Sequence, residues 1–269
     1  MGRTMDERIE EDRILVSQIG KVALITFNRP KVLNAFSAGM GKQMASLLDS
    51  MNDDPNVRVV VFTGNGKGFC SGKDLKAANT LEKPAPRSPY RMLNFNEHNI
   101  ASIRSFAKPT IAAVNGVAVG AGLGICLACD MRIASPGARF SAIFTKRGIP
   151  AQDAVGAFLP QIVGLPKALE MLYTGRIVEA EEALHMGLVS EILPHEALLD
   201  RALAIAEQIA AAPPLATAMI KQVVYRGLGR SIDDQLALQT LATYINSANA
   251  GDDIREANAA FKERRAPIF

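Results

Sequence analysis

Two glycine-rich segments of the sequence each follow an apolar, β-branched run of the kind that forms a buried strand. Residues 64–72 come after the run at 57–63, and residues 120–124 come after the run at 111–119. Glycine lets a backbone approach a ligand closely because it has no Cβ, and the first N–H groups of a following helix lack internal partners. Two such turns could direct two backbone N–H groups at one carbonyl oxygen, forming an oxyanion hole. Each segment taken alone could instead be a tight packing turn between a strand and a helix.

The spacing of these glycines differs from that of the common phosphate-binding loops. The sequence contains neither Gly-x-x-x-x-Gly-Lys-Ser/Thr nor a Gly-x-Gly-x-x-Gly segment followed by an acidic residue after a second strand. The pair Cys126-x-x-Cys129 lacks a second pair of ligands. We therefore expect buried thiols at these cysteines and no metal site.

The elements that would position these turns alternate between strands and helices in the first half of the chain. A hairpin is predicted from residues 14–17 and 22–27, and Ser37 is placed to cap a helix that ends near Met51. Strand, helix and further strand in this order favour repeated ββα turns of a spiral sheet. Other predicted elements are a proline-containing loop at 77–89, a helix at 90–106 and a strand at 131–134.

Beyond Pro150 the sequence becomes mainly helical, and its last third is rich in alanine. This part predicts a C-terminal helical subdomain. The predicted helices are at 158–163, 166–173, 180–185, 198–211, 214–226, 232–249 and 252–262.

Composition and charge limit the classes of protein to which the chain could belong. Of its 269 residues, 48% are hydrophobic and 21% are charged, which suffices for one large domain or a domain with an appendage. A net charge of +3 is too small to indicate a nucleic-acid partner. No window of about 18 uninterrupted apolar residues predicts a membrane span. The charged N-terminus lacks the apolar region of a signal peptide, and three cysteines fit a reducing compartment, so we expect a cytoplasmic location.

Several separated motifs together resemble the crotonase (enoyl-CoA hydratase/isomerase) superfamily. They are NRPKVLNA at 28–35, GFCSGKDL at 68–75, the segment at 113–130, the segment at 174–189 and FKERR at 261–265. The resemblance implies an α/β fold with a crotonase-type ββα spiral core at 1–200 and a C-terminal α-helical trimerisation subdomain at 201–269. It also implies an acyl-CoA thioester substrate, no cofactor beyond the coenzyme A of that substrate, and a homotrimer or dimer of trimers.

The resemblance assigns the oxyanion hole to the backbone N–H groups of Lys73 and Ala121. Because both groups belong to the main chain, we expect the identity of the two side chains to matter little beyond size. Phe261 and Arg264 match positions that reach the coenzyme A of a neighbouring subunit, where Arg264 could pair with phosphate. Within the subunit, the resemblance implies contacts of the segment at 31–35 (Lys31, Val32 and Ala35) with the nucleotide part of coenzyme A, and of the segment at 73–75 (Asp74 and Leu75) with its pantetheine, although Asp74 could instead cap the next short helix. It also implies substrate contacts for Ser71, Gly120 and Phe144.

The sequence departs from the family pattern at the acid–base residues. Enoyl-CoA hydratases of the resembling kind use two glutamates to position and split water, and the matching positions here hold Gly124 and Phe144. Neither side chain can transfer a proton. Hydration by such a pair is therefore not expected.

Asp153 is the first candidate for a base or nucleophile. Some isomerases, dienoyl isomerases and dehalogenases of the family use an aspartate near this place, although the ungapped register puts Gln152 there and Asp153 one residue later. Asp153 could instead be the N-cap of the next helix.

Weaker candidates lie before the second glycine segment. Glu97 and His98 are near the position of the catalytic histidine of dehalogenase members, and Tyr90 could donate a proton. Each could equally be a solvated side chain of a helix or loop. His185 and His195 are expected to be structural.

These observations predict an enzyme that acts on an acyl-CoA thioester through a stabilised enolate. Double-bond isomerisation by a single base, Asp153 or Glu97, is favoured over addition of water. Thioester hydrolysis and dehalogenase-like substitution are alternative reactions. A non-catalytic acyl-CoA-binding protein is the alternative outside enzyme chemistry.

Overall fold

The computed structural model describes residues 14–74 and 100–269. The strands in these ranges are β1 (Ile14–Ile19), β2 (Val22–Phe27), β3 (Val59–Gly64), β4 (Gly68–Cys70), β5 (Thr110–Val114), β6 (Val117–Val119), β7 (Met131–Ala134), β8 (Arg139–Ser141) and β9 (Val178–Glu179). The α-helices are α1 (Ala38–Asp53), α2 (Ala101–Ser105), α3 (Ala121–Ala128), α4 (Val155–Val163), α5 (Leu165–Thr174), α6 (Ala180–His185), α7 (His195–Ala210), α8 (Pro214–Gly227), α9 (Ile232–Asn249) and α10 (Gly251–Glu263). Short 3₁₀ helices lie at Pro30–Val32 and Ile143–Arg147.

The described strands form two sheets that the chain visits in turn. The larger sheet has the order β1-β2-β3-β5-β7, with β1 antiparallel to β2 and the other pairs parallel. The smaller sheet has the order β4-β6-β8-β9, in which only β8 and β9 are antiparallel. From β3 to β8 each strand of the larger sheet is followed by one of the smaller sheet. This alternation confirms the predicted spiral of ββα turns.

Local sequence signals gave several elements correctly. The predicted hairpin is β1 and β2, and Ser37 caps α1 by accepting a hydrogen bond from the Met40 N–H at 3.2 Å. The predicted helices beyond Pro150 are confirmed to within three residues at each end. Of the helix predicted at 90–106, only the part from residue 100 onward lies in the described ranges, where α2 is found. The loop predicted at 77–89 lies outside them.

The run at 111–119 is two strands, so the prediction of one continuous strand is wrong. Strand β5 belongs to the larger sheet and β6 to the smaller one. The chain turns between them at Asn115 and Gly116, where a Cβ on the glycine would stand 2.1 Å from the carbonyl oxygen of Lys67. Only glycine permits this approach. The sequence did not indicate the break because both strands are apolar, β5 being fully buried and β6 partly buried.

The larger sheet separates two apolar layers. Alternate strand residues face opposite sides of a sheet. Thus Ile25 and Phe62 lie in the main core with α1 and the smaller sheet, whereas Leu24 and Val61 pack against α7. The predicted boundary between residues 200 and 201 falls inside α7, and the division into two domains stays a prediction.

The last three helices carry many exposed apolar side chains. None of the 18 residues of α9, all of which are described, is buried in the single chain. The exposed apolar residues of this region include Ile220, Val224, Ile232, Leu236, Leu241, Tyr244 and Phe261. Within residues 14–74 and 100–269 no single helix has the length and apolarity to cross a membrane, while α7 and α8 meet that test only as a pair bent by 106°.

Candidate active site

Two asparagines shape the first glycine turn. Asn34 Nδ2 donates a hydrogen bond to the carbonyl oxygen of Gly68 at 2.6 Å, and Asn115 Nδ2 approaches the same oxygen at 3.3 Å. Asn115 also donates to the Gly66 carbonyl at 2.8 Å and accepts from the Gly64 N–H at 3.0 Å. Both asparagines are buried. Their amides therefore replace the backbone partners that a turn of this shape cannot supply itself.

The two glycine turns meet at Gly72 and Gly120. A Cβ on Gly72 would stand 2.8 Å from the carbonyl oxygen of Val119 and 3.8 Å from the nitrogen of Ala121. Gly72 and Gly120 have φ angles of +99° and +55°, in the region that favours glycine. The backbone segments at 72–73 and 120–121 thus lie in direct contact, as the two-turn hypothesis requires.

The N–H groups of Lys73 and Ala121 are free of protein acceptors in the described part of the chain. The Phe36 N–H donates to the Gly72 carbonyl at 2.7 Å, and the Asp74 N–H donates to the Phe36 carbonyl at 3.0 Å. This pairing uses the groups on either side of the Lys73 N–H. Ala121 is the first residue of α3, so its N–H has no acceptor within the helix.

Asp153 covers the position at which hydratases of this kind carry a glutamate. A Cβ on Gly124 would stand 2.4 Å from the Asp153 carbonyl oxygen and 3.2 Å from the Asp153 Cβ. Asp153 and Ala154 both have positive φ angles, +56° and +60°. The turn therefore brings Asp153 down onto the bare Cα of Gly124.

The Asp153 carboxylate is buried and held from one side. Lys73 Nζ lies 3.1 Å from Asp153 Oδ1 and donates to Gln152 Oε1 at 2.9 Å. Asp153 Oδ2 is buried and has no hydrogen-bond partner among the described residues. One carboxylate oxygen is thus paired with an ammonium group and the other is not.

The suggestion that Asp153 caps the following helix is wrong. Helix α4 begins at Val155, its N-cap residue is Ala154, and no side chain caps it. Of the two residues near the expected position, Asp153 is buried whereas Gln152 is exposed.

The position of the second hydratase glutamate is occupied here by Phe144, a residue of the main core. Phe144 lies in the 3₁₀ helix at Ile143–Arg147 and is 5% exposed within the main core.

Cys70, in the strand that leads to the first turn, is also buried and free. Burial raises the pKa of its thiol to about 12, helped by the nearby Asp153 carboxylate and opposed by a hydrogen bond from the Gly72 backbone. The thiol therefore stays protonated and is a poor nucleophile.

The segment predicted to hold the nucleotide part of coenzyme A packs beside the first turn. Ser71 donates through its N–H to the Leu33 carbonyl at 2.9 Å and through Oγ to the Val32 carbonyl at 3.1 Å. Lys31 and Val32 are exposed, whereas Ala35 is buried. These contacts bring the two predicted coenzyme A segments side by side.

Arg29 is a contributor that the sequence did not single out. Its guanidinium pairs with Asp74 Oδ2 at 2.9 Å and donates to the Ala35 carbonyl at 2.7 Å. It thereby joins the segment at 30–35 to the residue after Lys73. Arg29 precedes Pro30 within the motif at 28–35, and this position could have drawn attention to it. No residue near it in the sequence indicates that Asp74 is its partner.

Some predicted residues lie elsewhere or outside the described ranges. Leu75, Tyr90, Glu97 and His98 are outside those ranges. Phe261 is 86% exposed, and Arg264 ends α10 in a left-handed conformation. Neither forms a hydrogen bond or ion pair with residues 31–35 or 71–74 in the described chain.

The two C-terminal-half histidines lie on helices. A ring nitrogen of His185 is 2.7 Å from the Glu181 carbonyl oxygen one turn earlier in α6, and His195 is the first residue of α7. Among the residues that the structure describes, neither histidine forms a hydrogen bond or ion pair with Lys73, Ala121 or Asp153. The expectation that they are structural stays a prediction.

Comparison with known proteins gives matches along nearly the whole chain. A family profile described as enoyl-CoA hydratase/isomerase matches residues 18–269. The (E)-benzylidenesuccinyl-CoA hydratase of Thauera aromatica is 36% identical over 262 residues, which cover 92% of this chain and 95% of the relative. The 1,2-epoxyphenylacetyl-CoA isomerase of Escherichia coli K12 is 33% identical over 257 residues, covering 95% of this chain and 97% of the relative.

A solved structure agrees with the sequence matches. The enoyl-CoA hydratase from Bacillus anthracis superposes with a TM-score of 0.84 at 31% identity, covering 95% of this chain and 98% of the other. Its fold and the matched family profile account for the spiral of ββα turns and the C-terminal helices seen here. The chain belongs to the enoyl-CoA hydratase/isomerase family, the crotonase superfamily.

Proposed function

We propose that the protein is a one-base isomerase that moves a double bond in the acyl group of an acyl-CoA thioester. The observation that carries the proposal is the buried Asp153 carboxylate beside the Gly72–Gly120 contact. Its Oδ2 has no partner in the described chain, and its Oδ1 is paired with Lys73. A carboxylate within reach of a carbonyl-binding site is the arrangement that proton transfer next to a thioester requires.

In the proposed mechanism Asp153 takes a proton from the substrate carbon next to the conjugated system. The electron pair of the broken C–H bond moves toward the thioester and forms a dienolate whose oxygen carries the negative charge. The N–H groups of Lys73 and Ala121 donate to that oxygen, and one such donor is typically worth about 3 kcal/mol in the transition state. Asp153 then returns its proton to the other end of the dienolate, which shifts the double bond with no net change in atoms.

Water addition is disfavoured by the residues at the two glutamate positions. Gly124 has no side chain and is covered by the Asp153 backbone, and Phe144 is packed in the main core. Neither residue 124 nor residue 144 therefore supplies a carboxylate that could hold a water molecule. The relatives include both a hydratase and an isomerase, and the residues at positions 124 and 144 support the proposal of isomerisation.

The test is replacement of Asp153 by Asn and by Ala. We expect turnover to fall about a thousandfold, within the usual range for loss of an acid–base group, with little change in affinity for a non-reactive acyl-CoA. Full turnover by both variants would exclude Asp153 and direct attention to Glu97. Release of free coenzyme A or of halide by the parent protein would instead favour hydrolysis or dehalogenase-like substitution.

We also propose the binding roles and assembly expected from the family. Lys31, Val32 and Ala35 would contact the nucleotide end of coenzyme A, and Ser71 and Asp74 would line its pantetheine arm. Leu75 would also contact the pantetheine arm, Gly120 and Phe144 would contact the substrate, and Phe261 and Arg264 would reach the coenzyme A of a neighbouring subunit. The exposed apolar side chains of α8, α9 and α10 support a homotrimer or a dimer of trimers. The three free, buried cysteines support the expected cytoplasmic location.

A further inference from the structure

The Lys73 side chain reaches the proposed base, although its backbone alone was expected to matter. Its Nζ lies 3.1 Å from Asp153 Oδ1 and 2.9 Å from Gln152 Oε1. We propose that Lys73 is a positioning residue, whose ammonium group fixes the Asp153 carboxylate through Oδ1 and leaves Oδ2 unpaired. The inference rests on the proposed function, because it assigns the means by which the base of that reaction is oriented.

Lys73 would act through both its backbone and its side chain. Its N–H is one of the two proposed donors to the thioester oxygen, and its side chain crosses to the turn that holds the base. The distance between the oxyanion site and the base is therefore set partly by one side chain. A shift of about 1 Å between reacting groups can cost roughly a hundredfold in rate, so such a link matters for turnover.

The backbone around Asp153 does not orient the carboxylate by itself. Residues 153 and 154 both have left-handed φ angles, and no side chain caps the next helix. In the described chain Lys73 Nζ forms an ion pair with Asp153 Oδ1, while Oδ2 is buried and has no hydrogen-bond partner. Without the ammonium group the carboxylate would lose the ionic contact that fixes its orientation.

The exposure of the two groups suits a contact that acts when substrate is bound. The Lys73 side chain is 52% exposed and the Asp153 side chain 11% exposed. Water therefore reaches the Lys73 end of the pair in the free protein, and a pair that is open to water on one side is screened and contributes less to stability than a fully buried one. An acyl-CoA lying across the site would exclude that water and strengthen the interaction. Loss of the side chain should accordingly affect turnover more than folding.

The test compares Lys73→Met and Lys73→Arg with the parent protein on a turned-over acyl-CoA. We expect Lys73→Met to lower kcat by about ten- to a hundredfold, with KM and the thermal midpoint nearly unchanged. Lys73→Arg should recover most of the activity because a guanidinium can pair with the same oxygen. Lys42→Met removes an exposed lysine of α1 and should behave as the parent.

A double-mutant cycle identifies the route of the effect. In an Asp153→Asn background the Lys73→Met change should lower kcat no further, because the carboxylate that it orients is absent. Equal losses with and without Asp153, or no loss in Lys73→Met, would overturn the positioning role. If Asp153→Asn retains full turnover, the proposed base is wrong. If Asp153→Asn is inactive and Lys73→Met is fully active, the base stands and only the positioning role is wrong.

Discussion

The Cα of Gly124 lies directly beneath the carbonyl oxygen of Asp153. A Cβ at residue 124 would stand 2.4 Å from that oxygen, closer than any real contact of this kind allows. The glutamate that hydratases of the family carry here could not be added without moving the Asp153 turn. In this chain a glutamate at residue 124 and the present position of the Asp153 turn therefore exclude one another.

Replacement of Gly124 by Ala should displace Asp153 and slow the reaction. We expect kcat to fall at least about tenfold because the carboxylate moves relative to the oxyanion site. Gly137→Ala is the matched control, since a Cβ there would meet nothing within 4 Å. Steady-state kinetics and circular dichroism of both variants would check this. Unchanged kcat in a folded Gly124→Ala protein would show that the contact does not position the base.

Replacement of Asn34 by Ala should destabilise the first glycine turn. The change removes the hydrogen bond to the buried Gly68 carbonyl and places Ala at a φ of +57°. An unsatisfied buried group costs about 1–3 kcal/mol, and the left-handed conformation adds about 1 kcal/mol. Chemical denaturation should show a loss of about 2–4 kcal/mol. Asn258→Ala, at an exposed position of α10, should change stability by less than about 0.5 kcal/mol; similar losses in both variants would contradict this account.

Removal of the Arg29 side chain should weaken substrate binding more than catalysis. Arg29 joins Asp74 to the Ala35 carbonyl, and these residues border the proposed coenzyme A segments. We expect Arg29→Ala to raise KM about tenfold, as a charge-assisted contact is lost, with a smaller effect on kcat. Arg201→Ala breaks the exposed pair with Glu191 and serves as the control. A fall in kcat at constant KM would show instead that Arg29 acts on the chemical step.

The buried thiols should resist modification until the protein unfolds. Burial raises the pKa of Cys126 to about 12, as for Cys70, and raises that of Cys129 as well. All three thiols should therefore stay protonated in the native protein at about pH 8 and fail to react with a disulfide reagent, but react fully in denaturant.

The same shifts predict the direction of one pH effect on stability. A thiol whose folded pKa exceeds its unfolded value of 9.0 favours the folded state below pH 9 and loses that contribution as the pH rises toward 12. Denaturation at increasing pH should show decreasing stability in this range, with a smaller slope for Cys126→Ala. Rapid labelling of the native protein near neutral pH would contradict the burial of these groups.

The fold was predictable because its signals are local. Apolar runs, glycine turns and the Ser37 cap each act within a few residues of the chain, and they gave the hairpin, the spiral and the C-terminal helices. The very short strands β4, β8 and β9 carry too few residues to show an alternating pattern. The break at Asn115 is set by the approach of Lys67, which lies far away in the sequence.

The candidate site was predictable in part. Lys73 and Ala121 follow from the glycine motifs, and the backbone segments at 72–73 and 120–121 lie in contact as expected. The choice of Asp153 over Gln152 depends on which of them packs on Gly124, and this requires the tertiary structure. The reach of the Lys73 side chain to that turn likewise joins residues 80 positions apart.

The most direct test of a one-base isomerase is isotope labelling of the product. A panel of unsaturated acyl-CoA thioesters would be incubated with the protein in D₂O and, separately, in H₂¹⁸O, and the products analysed by mass spectrometry. We predict a shifted double bond with deuterium at the α or γ carbon and no ¹⁸O in the acyl group. A hydroxyacyl product that carries ¹⁸O would show that water adds despite Gly124 and Phe144, and would contradict the account.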